Sequence, residues 1–379
     1  MRQSRRGDVD PFIVMDVMEK ARAAEAAGRH IIHMEVGQPS TPAPAGARRA
    51  LAAAMETGPL GYTVALGLPA LRARIAQHYA EWHGVDLDPA RVVVTAGASA
   101  GFVLAFTALF DAGERVGLGL PGYPSYRHIL KALSLDPVGI ETAMEDRFQP
   151  RPDQITADLS GLIVASPGNP AGTMLSRDSL AALIAQCREM DVTLISDEIY
   201  HGLHYDRPAV SALELTGDAF IINSFSKYFS MTGWRIGWMV VPQSHVRQVE
   251  RLAQNLFICP SHASQVAALA AFDCHEELDA NRSVYAANRQ LMIDGLAAAG
   301  FPSFAPPDGA FYVYADSRHL SDDALALSGR ILDEAGVAVT PGLDFDPVRG
   351  RGMLRFSYAR STADIVEGLG RLKEWAERA

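Results

Sequence analysis

Five short apolar runs share a habit that narrows the folds open to this chain. "RVVVTAGAS", "RVGLGLPGYP", "GLIVASPGNP", "VTLISDEIY" and "AFIINSFSK" are each rich in Val, Ile or Leu and lack polar alternation. Strands of that kind are buried on both faces, which requires helices above and below and hence a mostly parallel sheet. Helical patterns do separate them, as in "GFVLAFTALFDAG", "YRHILKALS" and "SRDSLAALIAQCREMD". The predicted class is therefore α/β. Each run also stops in a polar or glycine-rich segment: "AGAS", "PGYP", "SPGNP", "SDEIY" and "SFSK". In an open α/β sheet the ligand crevice lies beyond the carboxyl ends of the strands. Those segments should meet at one site.

The rest of the chain reads differently. "MDVMEKARAAEAAG" predicts an amphipathic helix over residues 15–28 closed by Gly28, and "HIIHMEVGQPS" a strand entering a Pro-rich turn. Residues 243–298 read as helical, followed by "GAFYVYAD", "GVAVTPG", "MLRFSYA" and a terminal helix, a smaller α+β unit. With 379 residues there is room for two domains. The expected division is an N-terminal arm and helix over 1–35 packing with the small domain, a large domain over 36–270 and a small domain over 271–379.

Charge and composition exclude some partners. The formal net charge is −10 with no long basic block, which argues against nucleic acid or an anionic membrane as a main partner. No apolar run approaches the roughly 18 residues of a membrane span, and none follows the N-terminal arginines as in a signal peptide. The cysteines, Cys187, Cys259 and Cys274, are far apart and form no C-x-x-C pair, as expected of a reduced cytoplasmic protein.

Several motifs could carry chemistry. "GASAG" (Gly97–Gly101) matches the G-x-S-x-G turn of serine hydrolases, with Ser99 as nucleophile and a later histidine as base. No H-G-G-G-type segment precedes it, and the free N–H groups of such a turn equally suit a phosphate. "HGLH" spaces His201 and His204 like metal ligands, but no third ligand stands at motif spacing, so no metal is expected. The one G-x-G-x-x-G, Gly117–Gly122, lies within an apolar run and not after a strand, and no Walker pattern occurs, which removes the usual support for a nucleotide cofactor. Most lysines are solvated surface charges. Lys227 instead follows an apolar strand directly, between Ser224 and Ser226 before it and Arg235 after it. Burial at a strand end disfavours the ammonium form and makes the amine nucleophilic. Asp197 and Tyr200 in "SDEIY" and Asn169 in "SPGNP" could serve a helix cap and a tight turn. Their shared position on strand ends with Lys227 and Arg235 points to one site instead.

Taken in order, these motifs resemble the fold type I pyridoxal-phosphate enzymes, specifically class I/II aminotransferases. The resemblance runs from "MEVGQPS" to "LRFSYA" and rests on Y-T-x-x-x-G-x-x-x-L-R, strand-G-A-S, P-G-Y-P-S-Y, S-P-G-N-P-x-G, D-E-I-Y and S-x-S-K-x-F-x-x-x-x-x-R-x-G. It implies a large domain, built on a mostly parallel seven-stranded sheet and binding pyridoxal 5'-phosphate, with the smaller α+β domain beside it. By resemblance Lys227 anchors the cofactor and moves the substrate proton. Asp197 partners the ring nitrogen, Tyr200 and Asn169 the phenolic oxygen, and Tyr123 stacks on the ring. Gly97, Ala98, Ser99, Ser224 and Arg235 hold the phosphate. Arg355 grips the substrate α-carboxylate, with Gly37 and Asn169 beside it. Tyr62 resembles the tyrosine that reaches the neighbouring subunit's phosphate, which implies a homodimer. The activity implied is ping-pong amino transfer between an L-amino acid and a 2-oxo acid, with a C–S β-lyase and a serine hydrolase as the alternatives.

Substrate preference has its own expectation. Relatives that use acidic donors need a cation for the second carboxylate, and some place a lysine where this chain has Ser99. The resemblance sets "PFIVMDV" over the pocket, contributing apolar Phe12, Ile13, Val14 and Met15. A neutral apolar or aromatic donor is therefore expected, unless Arg22, Arg127 or Arg282 swings in.

Overall fold

The structure, a computed structural model, describes residues 2–378. Its strands are β1 (Ile32–His33), β2 (Val92–Thr95), β3 (Arg115–Leu120), β4 (Asp136–Glu141), β5 (Gly161–Ala165), β6 (Thr193–Asp197), β7 (Phe220–Ser224), β8 (Gly237–Val240), β9 (Tyr312–Asp316), β10 (Val337–Ala338), β11 (Thr340–Pro341) and β12 (Met353–Ser357). The helices are α1 (Ile13–Ala26), α2 (Ala45–Thr57), α3 (Pro69–His83), α4 (Gly97–Leu109), α5 (Pro124–Ala132), α6 (Arg177–Glu189), α7 (Val246–Leu256), α8 (His262–Ala271), α9 (His275–Gly295), α10 (Ala324–Arg330) and α11 (Thr362–Ala376).

Seven strands form the main sheet in the order β2-β8-β7-β6-β5-β3-β4. The pairs β3/β4, β3/β5, β5/β6 and β6/β7 are parallel. β8 runs antiparallel to both β2 and β7. The sheet is thus α/β and mostly parallel, as the apolar runs predict. Two of its strands escape that reading. β4 is an edge strand with Asp136, Gly139 and Glu141 exposed, so it has no continuous apolar run. β8 lies inside "RIGWMVV", a stretch that continues from the lysine loop without a helix between.

A second sheet, β11-β12-β9, is antiparallel, and β1 pairs with β10 alone. α1 packs beside these strands through Val17 and Ala21, which join Ile31, Leu332 and Ala338 in one apolar cluster. Its first turn has no side-chain cap of its own. Asp344 supplies one from far along the chain: its carboxylate accepts from the Ile13 N–H at 3.0 Å and the Val14 N–H at 3.2 Å. Two N–H groups that a helix start leaves open are satisfied this way. α1 starts and stops two residues earlier than the sequence predicts, and Gly28 at φ +88° then turns the chain back toward β1. The helical stretch expected over 243–298 is interrupted between α7 and α8, where Ile258 takes φ +64° and Pro260 follows.

Candidate active site

A cavity of about 510 Å³ opens beyond the carboxyl ends of β5, β6 and β7. Gly37, Ala98, Ser99, Tyr123, Asn169, Asp197, Tyr200, Lys227, Arg235 and Arg355 all line it. Strand direction explains the meeting. Asp197 is the last residue of β6, while Asn169 and Lys227 follow β5 and β7 within a few residues. Arg355 comes from β12 in the other sheet.

The Lys227 amine donates to the Gly37 carbonyl at 2.6 Å. Burial, then the nearby Arg355 charge, push its pKa down to about 7. A large share of the amine is therefore neutral near neutral pH, the form able to attack a carbonyl or accept a proton. Asp197 is 3% exposed. One of its oxygens accepts from the Ile199 N–H at 3.0 Å and the other from the Tyr126 hydroxyl. Burial raises its pKa to about 6, against the pull of the Tyr126 hydrogen bond. A buried carboxylate of this kind is stabilised by a cationic ring N–H placed against it.

Arg355 is 4% exposed and sits between the faces of Tyr312, 4.4 Å from its centroid, and Phe345 at 4.7 Å. It donates to Asn169 Oδ1 at 2.9 Å, to Thr340 Oγ1 at 3.2 Å and to the Glu35 carbonyl. Its Nε is buried without a partner. A fixed fork with an unsatisfied donor suits a planar carboxylate. The Tyr200 hydroxyl meets that of Tyr312 at 2.9 Å.

An anion seat lies at the other end. α4 begins at Gly97 with no side-chain cap, which leaves its first N–H groups for a ligand. The Arg235 guanidinium covers this turn so closely that a Cβ on Gly97, itself at φ +76°, would lie 2.5 Å from Nη2. Arg235 is held at φ +50° and donates to the Thr232 carbonyl at 2.9 Å. Uncapped amides, an arginine, a buried carboxylate and an enclosed amine are the donor set that a phosphorylated pyridine aldehyde requires.

Residues 29–372 match the family described as aminotransferase class I and II. The chain belongs to the class I/II aminotransferases. It is 46% identical to valine–pyruvate aminotransferase of Mycobacterium tuberculosis (strain ATCC 25618 / H37Rv), over 99% of this chain and 98% of that protein. It is 31% identical to (5-formylfuran-3-yl)methyl phosphate transaminase of Methanocaldococcus jannaschii, covering 100% of both. Among solved structures, a protein from Silicibacter pomeroyi described as a "putative aminotransferase" superposes at TM-score 0.96 with 63% identity, covering 100% of both chains. Aspartate aminotransferase from Thermus thermophilus superposes at 0.92 with 30% identity, covering 99% of this chain and 100% of that one. The fold is that of the type I aminotransferases.

Some expected residues stand off the cavity of this aminotransferase. Ser224 lies one layer behind, with its hydroxyl on the Ile236 carbonyl at 3.0 Å and on Ser226 at 2.9 Å; Ser226 is the serine on the wall. Gly97 backs Arg235, and Tyr62 is 85% exposed on the surface. Phe12, Val14 and Met15 line the cavity, joined by Met18. Ile13 does not: it packs with the Val17 and Ala21 cluster, because successive helical positions face about 100° apart. The sequence reading missed Tyr126, Tyr312, Thr232 and Gln38. Tyr126 stands three residues after Tyr123, one helical turn on the same face, a signal that could have found it. Tyr312 had none beyond its place in an aromatic strand.

The hydrolase reading fails on geometry. Among the described residues no histidine hydrogen-bonds Ser99. His201 is engaged by the Ser166 carbonyl at 3.1 Å, His262 by the Gly61 carbonyl at 2.9 Å and His319 by the Gly300 carbonyl at 2.7 Å.

Proposed function

We propose that this aminotransferase holds pyridoxal 5'-phosphate in the cavity and takes its amino group from a neutral, apolar L-amino acid. The observation that carries the reading is the enclosed Lys227 amine, with a pKa near 7, set between Asp197 and Arg355 in one cavity. Lys227 would anchor the cofactor and Asp197 would keep its ring nitrogen protonated. Asn169 and Tyr200 would hold its phenolic oxygen, with Tyr123 against its ring. Gly97, Ala98, Ser99, Ser226 and Arg235 would surround its phosphate, with Ser224 supporting Ser226 from behind. When bound, the cofactor supplies an electron sink for the pair released as the Cα–H bond breaks. Arg355 would bind and orient the substrate carboxylate, and Lys227 Nζ would take the proton from Cα of the donor in one half-reaction and supply a proton to Cα of the new amino acid in the other.

Donor preference follows from the charges lining the cavity. Among the described residues they are Asp197, Lys227, Arg235 and Arg355, and each has its role. Arg22 is on Glu19 at 2.5 Å and Arg282 on Asp279 at 3.3 Å, while Arg127 reaches the Asp344 carbonyl; none of the three lines the cavity. A second substrate carboxylate would face Phe12, Val14, Met15 and Met18 at a cost of several kcal/mol. A Val- or Leu-sized side chain there gains about 1.5–3 kcal/mol. The name of the Mycobacterium tuberculosis relative, valine–pyruvate aminotransferase, supports the same class of donor.

The reading extends to a homodimer with Tyr62 reaching the partner's phosphate. Tyr62, Val64, Leu256, Phe257 and Ile258 are large apolar residues left 36–85% exposed. Their segments adjoin, since His262 bonds the Gly61 carbonyl and Gln265 bonds Thr63. Such a patch suits a second copy. Free Cys187, Cys259 and Cys274 support a reducing, cytoplasmic setting.

A single-turnover screen tests the function. Loaded protein is mixed with valine, alanine, leucine, methionine, phenylalanine or aspartate while the visible band and the 2-oxo acid are followed. Band loss with a matching 2-oxo acid, faster for the neutral donors, is the expected result. Aspartate ahead of all the others would overturn the donor preference. Pyruvate and ammonia released from an added S-alkylcysteine, which carries the β-leaving group the other donors lack, would mean β-elimination instead.

A further inference from the structure

A second cavity, of about 650 Å³, lies alongside the first, further down α1. Met15, Met18, Val36 and Gln38 line both, so α1 and residues 36–38 form a shared wall. This second space holds two charged groups that the catalytic site does not use.

One is Glu35, 1% exposed. Its Oε1 meets His33 Nδ1 at 2.8 Å, but its Oε2 is buried with no hydrogen-bond partner. Leaving a buried carboxylate oxygen bare costs free energy that a cationic donor would recover. The other is Arg360, which lines the cavity and has no ion-pair partner among the described residues. The remaining charges there are spoken for: Arg22 is on Glu19 at 2.5 Å, and Glu25 is on His33 at 3.0 Å.

We propose that this cavity binds a free α-amino acid, its ammonium donating to Glu35 Oε2 and its carboxylate accepting from Arg360. An ammonium or a carboxylate alone would satisfy only one of the two groups; a zwitterion satisfies both. The choice of an amino acid as ligand rests on the proposed function, since the proposed substrate is itself such a zwitterion. The shared wall bears on catalysis as well. The Glu35 carbonyl holds Arg355 and the Gly37 carbonyl holds Lys227, so a ligand on the Glu35 side chain sits one residue layer from the catalytic pair.

The test is equilibrium dialysis of the loaded enzyme with radiolabelled 2-aminoisobutyrate, a zwitterion without a Cα proton and so not transaminated. The native enzyme is compared with Arg360→Met and Glu35→Gln, each checked for an unchanged melting temperature and visible band. A component of about one ligand per chain should weaken at least about tenfold in each variant, the loss expected of one charge-assisted hydrogen bond. Any change the ligand makes in the visible band, which reports the catalytic cavity, should persist in both variants. Binding unaltered by either substitution, or no label removed by Arg360→Met, would overturn the second site. The result is separate from the function test: a chain that failed to transaminate would still lose this component on substitution.

Discussion

The two walls of the catalytic cavity are built on different principles. The wall formed by the ends of β5, β6 and β7 and by β12 is polar and closed. Asn169, Asp197 and Arg355 are 9%, 3% and 4% exposed, and hydrogen bonds fix each of them. The facing wall is apolar, made by Phe12, Val14, Met15 and Met18, and the first turn of α1 is tied down by a single side chain, Asp344. A change on the polar wall leaves a buried group without its partner, whereas a change on the apolar wall alters shape and area. The first wall therefore governs whether reaction occurs, and the second which side chain is accepted.

Substitutions can break or sharpen that division. Lys227→Ala removes the only amine lining the cavity among the described residues. Turnover should fall by about a thousandfold or more, within the range for loss of a general base, with little change in melting temperature. Retention of a tenth of the native rate would remove Lys227 from its role. Asp197→Ala comes next: losing one partner of a buried charge pair costs about 3–5 kcal/mol, so steady-state rates should drop at least about a hundredfold. Near-normal turnover would contradict the assignment.

Arg355→Lys keeps the charge and loses the fork. We expect kcat/KM for donors to fall about tenfold to a hundredfold, with cofactor affinity retained in a spectral titration. Loss of cofactor in place of donor affinity would put Arg355 at the wrong end of the cavity. The smallest effect should come from the apolar wall. Asp344→Ala removes the cap from α1, worth about 0.5–2 kcal/mol. The ratio of kcat/KM for valine to that for aspartate should change a few-fold, while the cofactor's visible band stays as in the native protein. An altered band with unchanged selectivity would reverse the roles of the two walls.

The sequence made the polar wall far more legible than the apolar one. Asp197, Asn169 and Lys227 sit where apolar runs stop, and that break is visible in one dimension because strand direction alone sends those residues to one end of the sheet. Tyr126 is legible only through its spacing from Tyr123, and Tyr312 not at all, since their importance lies in reaching Asp197 and Tyr200 across the fold. Ser224 and Ser226 are not told apart in sequence, as alternation along an irregular loop does not say which hydroxyl turns toward the cavity. On the apolar wall, Ile13 has the same chemistry as Val14 and Met15, and the Asp344 cap together with the packing of Val17 and Ala21 fixes the rotation of α1 that turns it away. β4 and β8 stayed hidden because an exposed edge strand and an antiparallel return carry no run-then-helix pattern.

The central claim, that Lys227 carries the cofactor, has one direct test. The loaded protein is reduced with borohydride, digested, and its peptides are weighed. The account predicts that the reduced cofactor stays covalently attached to the peptide containing Lys227, and that the Lys227→Ala protein yields no such peptide. Attachment at another lysine, or complete release of the cofactor after reduction, would contradict it.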